Sequence, residues 1–382
     1  MLLLASVGSD ARHCQIMIEA EKATRTMQAT SSITNNHPSV TSDENASNRR
    51  LIDSLRILSK PYRATPWLFN AHTQLIFYSL RKYGFQRRNE SASLYDHHEQ
   101  LTMQDGGLTA LYWSGYELPE TTPTIVLIHT ISGSPDSMAE LVNDLRRETG
   151  WRIVLCLRRG HGGLPLVTPR FNIVGCTKDF REQLAHIQQC LPDSPLYAVG
   201  TSAGSGLLVR YLGEAEKQSP FKATFAYCPG YDTSNCFENV HPRYSRIMAK
   251  KLVRQFVSSN EKVIAPLRTA NSLKKVGDLG EFYQALYEVA GYPDYSSYDE
   301  KTNPMNVFER IKTPIMVLNA EDDPICHIKN LEPWRNKMKS MDNVILVTTR
   351  KGSHCAHYEG WSARSWSARL MADYFKSVEN RD

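Results

Sequence analysis

After residue 120, short apolar runs rich in β-branched residues alternate with longer stretches that favour helices. Runs that are apolar throughout predict strands buried on both faces, and their alternation with helices predicts a parallel sheet between two helical layers. The pattern therefore predicts a mostly parallel, doubly wound α/β fold. The six runs are Thr124–His129, Arg152–Leu157, Leu196–Gly200, Thr224–Cys228, Ile315–Asn319 and Val344–Thr348.

Two regions depart from this rhythm. Residues 22–50 are rich in Thr, Ser, Asn and charge, a composition typical of disordered segments. We therefore predict a largely disordered N-terminal extension over residues 1–57 and a globular domain over residues 58–382. Between about residues 230 and 311, after the fourth run, no strand-like run occurs, so we predict an insertion there.

Ligands bind parallel sheets beyond the carboxyl ends of the strands, and the third run ends in Gly200-Thr201-Ser202-Ala203-Gly204. This G-x-S-x-G is followed by a helix-forming stretch, which is the strand–turn–helix context of a nucleophile elbow. The turn holds the serine in a strained backbone conformation, and the two glycines let strand and helix approach closely. We predict Ser202 as a nucleophile.

A serine hydroxyl is a weak nucleophile, so a base must accept its proton, and imidazole has a suitable pKa. A carboxylate then fixes the imidazole tautomer and stabilises the imidazolium. Asp322 and Asp323 follow the fifth run, and His354 and His357 follow the sixth. The order Ser, Asp, His predicts a catalytic triad, with both aspartates and both histidines open as candidates.

An acyl-transfer site also needs N–H donors for the oxyanion, each contributing about 3–4 kcal/mol to transition-state stabilisation. The amide of Ala203, directly after the nucleophile, is one predicted donor. The loop after the first run supplies the other, and we predict the amide of Ile131.

The stretch from Arg158 to Glu214 resembles the YheT-like α/β-hydrolases, a family that also holds plant embryogenesis-associated proteins, animal abhydrolase-domain lipases and phospholipases, and yeast ethyl-ester synthases and esterases. The resemblance covers about residues 58–382 and is loose over 230–300. It implies an α/β-hydrolase fold with a helical lid at about 230–311. It also implies hydrolysis of lipid-like or medium-chain acyl esters through an acyl-enzyme. Further matching segments lie at 66–76, 103–113, 318–325 and 352–360.

The resemblance also selects between neighbouring candidates. The family's glycine-flanked histidine motif lies over Gly352–Gly360, which makes His354 the base. In this fold the acid stands three residues after the small residue that ends its strand, which makes Asp323 the acid. Thr130 replaces a family glycine in the oxyanion loop and Ser205 replaces one in the elbow. Because Thr130 is β-branched, it cannot adopt a positive φ cheaply.

Charge, cysteine content and hydropathy limit the remaining function classes. The net charge of +5 does not favour nucleic acid binding, and no glycine-rich nucleotide-binding loop occurs. The turn Arg159–Gly163 is interpreted as a structural loop.

The eight cysteines form no C-x-x-C pair, which predicts reduced thiols and no zinc site, and no cofactor is expected. No stretch reaches about 18 apolar residues, so no membrane-spanning helix is expected and a cytoplasmic location is predicted.

Tyr244–Val257 combines apolar positions with a basic side, which fits either a lid helix or a peripheral contact with a membrane surface. Two alternative functions use the same residues. An acyltransferase would resolve the acyl-enzyme with an alcohol, and a catalytically silent member of the fold would serve as a binding protein.

Overall fold

Nine strands form the central sheet of the computed structural model, which describes residues 36–87 and 93–381. They are β1 (Ser39–Ser42), β2 (His97–Thr102), β3 (Leu108–Ser114), β4 (Thr124–Ile128), β5 (Arg152–Leu157), β6 (Leu196–Thr201), β7 (Phe221–Tyr227), β8 (Ile315–Ala320) and β9 (Val344–Thr349). Their order is β1-β9-β8-β7-β6-β4-β5-β3-β2. The six predicted runs are confirmed as β4 to β9, all mutually parallel.

Helices flank this sheet, and a short hairpin of β10 (Tyr358–Glu359) and β11 (Arg364–Ser365) lies outside it. The helices are α1 (Ala46–Ser54), α2 (Ala71–Arg87), α3 (Pro135–Thr149), α4 (Lys178–Cys190), α5 (Ala203–Ala215), α6 (Thr233–Asn239), α7 (Pro242–Leu252), α8 (Glu261–Ile264), α9 (Ala270–Lys275), α10 (Leu279–Ala285), α11 (Tyr295–Thr302), α12 (Arg335–Lys339) and α13 (Trp366–Glu379).

Alternate residues of the central strands enter different cores. Leu127 and Leu155 pack with α3 and α13 on one face of the sheet. Val126 and Val154 pack with α4 and α5 on the other face. Because both faces are covered, these strands must be apolar at every position, which is why they could be recognised in the sequence.

Three outer strands complete the sheet in antiparallel orientation. β3 pairs with β5, β2 pairs with β3, and β1 pairs with β9. Along β2 (HHEQLT) half-buried and exposed residues alternate, so this edge strand lacks the apolar run that marks a central strand. Strands β1, β2 and β3 were not predicted from the sequence.

The predicted start of the domain at residue 58 is wrong, because the compact unit begins at Pro38. Val40 of β1 pairs with Val347 of β9. Leu51 and Leu55, in and directly after α1, lie in the core that α13 covers. An edge strand bonds to one neighbour and needs few apolar residues, so the polar composition of this segment concealed its structure. The prediction of disorder for residues 1–35 lies outside the described residues.

The predicted insertion, which connects β7 to β8 along the chain, contains the short helices α6 to α11. Their apolar side chains contribute to a third apolar core. Within it, α7 buries Ser245, Ala249 and Leu252, and Val253–Val257 continue it as a π-helical turn. Ile247 on the outer side of α7 is 63% exposed. Over the described part of the chain, no helix combines the length and apolar character needed to cross a bilayer.

Candidate active site

Ser202 occupies the sharp turn between β6 and α5, with φ 53° and ψ −119°. A Cβ atom on Gly200 would lie 2.6 Å from the carbonyl oxygen of Gly204, and one on Gly204 would overlap the carbonyl oxygen of Ile128. Both positions therefore require glycine, as the sequence predicted. Ser205 donates its hydroxyl to the carbonyl oxygen of Gly200 at 2.8 Å, which ties the first turn of α5 back to β6.

The three residues predicted as a triad come together in one hydrogen-bonded chain. The hydroxyl of Ser202 lies 2.8 Å from Nε2 of His354, and Nδ1 of His354 lies 2.8 Å from Oδ2 of Asp323. The other carboxylate oxygen accepts the N–H groups of Ile325 at 2.7 Å and Cys326 at 2.9 Å. All three triad side chains are buried. With Nδ1 donating to the carboxylate, Nε2 is left to accept the serine proton.

The neighbouring candidates have structural contacts instead. Asp322 accepts the N–H of Ser353 at 2.8 Å, and burial raises its pKa to about 6 although that hydrogen bond opposes the shift. His357 bridges the hydroxyls of Tyr227 and Thr349 at 3.0 and 2.9 Å. Burial and the charge of His354 lower the pKa of His357 to about 3. The structure therefore brings Asp323 and His354, and neither neighbour, to Ser202.

Two opposing effects act on the imidazole of His354. Burial lowers its pKa, because the charged form loses hydration. The nearby carboxylate of Asp323 raises it, and the net result is a pKa of about 9. Asp323 thus stabilises the protonated form of this imidazole.

The two residues predicted to supply oxyanion N–H groups, Ala203 and Ile131, belong to the same apolar region of the structure. Ala203 is the first residue of α5, so its N–H has no intrahelical acceptor. Ile131 lies in the loop after β4 and belongs to the core against which Ala203 packs. Thr130 keeps a negative φ, so its β-branched side chain causes no strain there.

Arg158, which follows β5, holds this loop in place. Its buried guanidinium donates to the carbonyl oxygens of His129 at 2.9 Å, Thr130 at 2.7 Å and Ile173 at 2.6 Å. The carbonyl of Thr130 and the N–H of Ile131 belong to one trans peptide plane and point in opposite directions. Arg158 therefore fixes the direction of the Ile131 N–H.

No carboxylate of the described chain is hydrogen-bonded to the guanidinium of Arg158, and burial lowers its pKa to about 9. His161 adds a second hold on the loop, with Nε2 3.1 Å from the carbonyl oxygen of Ile131. Neither role was predicted from the sequence. The signal for them is the glycine-rich turn after β5, which contains His161 and contacts the loop after β4 through the hydrogen bond to Ile131.

Two cavities meet at the triad and share Met248 and Ile325 as lining residues. The smaller one, about 50 Å³, borders Ser202 and is lined mainly by apolar side chains, including Phe237. The larger one is a cleft of about 1290 Å³ that reaches His354. Its walls carry polar and charged groups as well as apolar ones.

Two overlapping clusters near the triad contain atoms that could ligate a metal, each within 4.8 Å of one another: those of Cys228, His354 and Cys355, and those of Asp323, Cys326 and His354. Both clusters use the imidazole that already bridges Ser202 and Asp323. A metal ion there would break that chain, so we assign no metal to either cluster. The seven cysteines of the described chain are free thiols.

The chain is similar in sequence to a known protein family and to several named proteins. The family model described as "alpha/beta hydrolase fold" matches residues 123–360. The chain is 27% identical to the embryogenesis-associated protein EMB8 of Picea glauca over 357 residues, covering 87% of this chain and 76% of that protein. It is 26% identical to the human phospholipase ABHD3, covering 88% and 83%. It is 25% identical to the human monoacylglycerol lipase ABHD2, covering 86% and 83%.

Solved structures show the same fold at low sequence identity. The esterase Pf2001 of Pyrococcus furiosus superposes with a TM-score of 0.50 at 14% identity, covering 75% of this chain and 94% of that one. A putative aryl esterase of Burkholderia cenocepacia gives the same TM-score and identity, with 75% and 100% covered. The family match spans more than half of the chain and agrees with the resemblance found in the sequence. This protein belongs to the α/β-hydrolase family.

Proposed function

We propose that this protein is a serine hydrolase that cleaves carboxylic acyl esters through an acyl-enzyme on Ser202. The observation that carries the proposal is the unbroken hydrogen-bonded chain from Ser202 through His354 to Asp323, with 2.8 Å at each step. In the first step Nε2 of His354 takes the hydroxyl proton while Oγ attacks the ester carbonyl. The N–H groups of Ile131 and Ala203 stabilise the oxyanion.

In the second half of the reaction the alcohol leaves with the proton held by His354, and the acyl group stays on Ser202. A water molecule then donates a proton to His354 and attacks the acyl carbonyl, which releases the carboxylic acid and restores the serine. Each step moves one proton between Nε2 and an oxygen. The carboxylate of Asp323 stays ionised throughout.

The cavities support an assignment of the two halves of the ester. The apolar cavity beside Ser202 suits the acyl chain, and the wide cleft reaching His354 suits the alcohol, which must be protonated there. The relatives named phospholipase and monoacylglycerol lipase support acyl esters of lipid-like character. Since the apolar cavity is narrow, we expect medium-length chains to need displacement of α6 or α7.

Peripheral contact with a lipid surface is part of the same proposal. Ile76, Leu80 and Ile247 line the wide cleft, and each is more than half exposed. Apolar side chains in that position would lower the cost of moving a lipid ester from a membrane into the cleft.

The test is a panel of p-nitrophenyl esters of increasing acyl length, with labelling by a fluorophosphonate probe. We expect turnover and labelling of the wild type, neither in Ser202→Ala, and a loss of several orders of magnitude in kcat in His354→Gln. His357→Gln is the matched control and should keep most of the kcat of the wild type when folded.

Three outcomes would contradict the proposal. A probe that fails to label Ser202 would favour a silent binding protein. A larger loss of kcat in His357→Gln than in His354→Gln would overturn the assignment of the base. Ester synthesis that exceeds hydrolysis when an alcohol is added would favour the acyltransferase.

A further inference from the structure

Two ammonium groups from different helices border the wide cleft. Lys82 lies on α2, with Nζ 3.8 Å from the centre of the Tyr78 ring. Lys251 lies on α7, with Nζ donating to the hydroxyl of Ser132 at 3.0 Å. Ser132 directly follows Ile131, the predicted oxyanion donor. Both charges therefore belong to the side of the site that we assign to the alcohol.

Within the described ranges, neither ammonium forms an ion pair with a carboxylate. Glu140 lies within electrostatic range of Lys82, but it is paired with Arg81 at 2.8 Å and accepts the hydroxyl of Tyr358 at 3.0 Å. The cleft is thus bordered by two cations without a bound counter-charge.

The one carboxylate that lines the cleft in the described chain, Asp136, acts elsewhere. Its charge contributes to raising the pKa of Tyr95 and of Tyr112, after burial in each case, and it is not among the groups that shift Lys82 or Lys251. The charge of Asp136 therefore acts on the tyrosines of the cleft.

The two lysines also oppose each other. Burial lowers the pKa of Lys82 to about 8; the nearby thiol of Cys355 opposes this shift, and the charge of Lys251 adds to it. Two like charges close together cost free energy, more so because Lys82 is half-buried, and an anion placed between them recovers that cost. Ammonium groups on flexible stems suit phosphate, which they bind as point charges.

We propose that the wide cleft selects acyl esters whose alcohol carries a phosphate or similar anionic group, held between Lys82 and Lys251. This inference rests on the proposed function, because it assigns the alcohol to this cleft. The two lysines act as specificity-determining residues. They bind the charged end of the substrate while the acyl carbonyl lies at Ser202.

The experiment compares two soluble esters with the same acyl chain, monohexanoylglycerol and its 3-phosphate, both below the concentration at which they form micelles. We expect the wild type to prefer the phosphate ester in kcat/KM. Lys82→Met with Lys251→Met should lower kcat/KM for the phosphate ester at least about tenfold, or about 1.4 kcal/mol, mainly through KM. Turnover of the neutral ester should change less than about twofold.

Lys250→Met is the matched control, because Lys250 is an exposed lysine of α7 like its neighbour Lys251 but does not line the cleft. It should leave both esters unaffected. An equal loss on both esters in the double variant, or a wild type that prefers the neutral ester, would overturn the proposal.

Product binding separates this proposal from the proposed function. Glycerol 3-phosphate should bind the wild type more tightly than glycerol does, with a gain that the double variant loses, even if neither ester is hydrolysed. Vesicles containing phosphatidic acid test the other source of phosphate. If they bind the wild type through these lysines and glycerol 3-phosphate does not compete, the site serves membrane docking and the proposal is wrong.

Discussion

At the scale of single residues, Ser202 combines a backbone conformation that non-glycine residues avoid with a side chain hydrogen-bonded to a base. Strain of this kind persists only where neighbouring contacts hold it. Here the N–H of Ser202 donates to the carbonyl oxygen of Tyr227 at 2.8 Å, and Gly200 allows the helix to approach. The strain directs the hydroxyl of Ser202 toward His354.

The pKa of His354 predicts how activity depends on pH. The base must be neutral to accept a proton, so kcat/KM should rise with pH and approach its maximum as the pH passes about 9. Asp323→Asn removes the charge that raises this pKa. The variant should therefore lose about 10⁴-fold in kcat, and its remaining activity should rise at lower pH than in the wild type.

The measurement is kcat/KM for one ester between pH 5 and 10, with Asp322→Asn as the matched control. The control should keep the kcat of the wild type within a few-fold, because Asp322 bonds to Ser353 and not to His354. A pH profile that moves upward in Asp323→Asn would contradict the assigned role of the carboxylate.

Single residues also show which parts of the candidate site could be predicted from the sequence. Ser202, Asp323 and His354 could be proposed because each follows its own strand, and strand ends meet at one edge of a parallel sheet. Arg158 could not, because its partners are backbone carbonyl oxygens from a distant loop. Nothing in the side chains of that loop indicates a buried cation.

At the scale of elements, the loop after β4 depends on the turn after β5. Arg158 acts as a positioning residue, since it contacts the peptide plane that carries the Ile131 N–H. Arg158→Lys keeps a positive charge but cannot form the same fork of hydrogen bonds. We expect kcat to fall about 100-fold with little change in KM, the effect of losing one oxyanion donor.

Arg159→Lys provides the matched control, because Arg159 pairs with Asp179 and Asp105 away from the loop. A trifluoromethyl ketone, which forms a tetrahedral adduct with the serine, should bind Arg158→Lys more weakly by the same factor. If Arg158→Lys is folded and retains the kcat and inhibitor affinity of the wild type, the role assigned to Arg158 is wrong.

The central strands of the sheet could be predicted from the sequence, whereas the edge strands could not. Strands β4 to β9 are covered on both faces and were recognisable as continuous apolar runs. Strands β1 and β2 lie at the two edges of the sheet, where water or a single neighbour tolerates polar residues. Composition alone therefore placed the boundary of the domain about twenty residues too late.

At the scale of the whole molecule, the start of the domain at Pro38 predicts a measurable difference in thermal stability. A chain that starts at Ile57 should melt about 5–10 °C below one that starts at Pro38. The shorter chain loses β1 and the burial of Leu51 and Leu55, each contributing about 1.5–3 kcal/mol. Thermal unfolding followed by circular dichroism measures the difference, and equal melting temperatures would show that β1 and α1 do not stabilise the domain.

Strand β1 also covers the outer edge of β9, the last parallel strand of the sheet. Every residue of β9 (VILVTT) is buried, and β1 occupies the hydrogen-bonding groups on its outer side. Without that cover, a flat row of unsatisfied amides and carbonyls next to apolar side chains would offer a template to a second chain. A four-residue strand of polar composition thus protects the molecule from joining its sheet to that of another copy and aggregating.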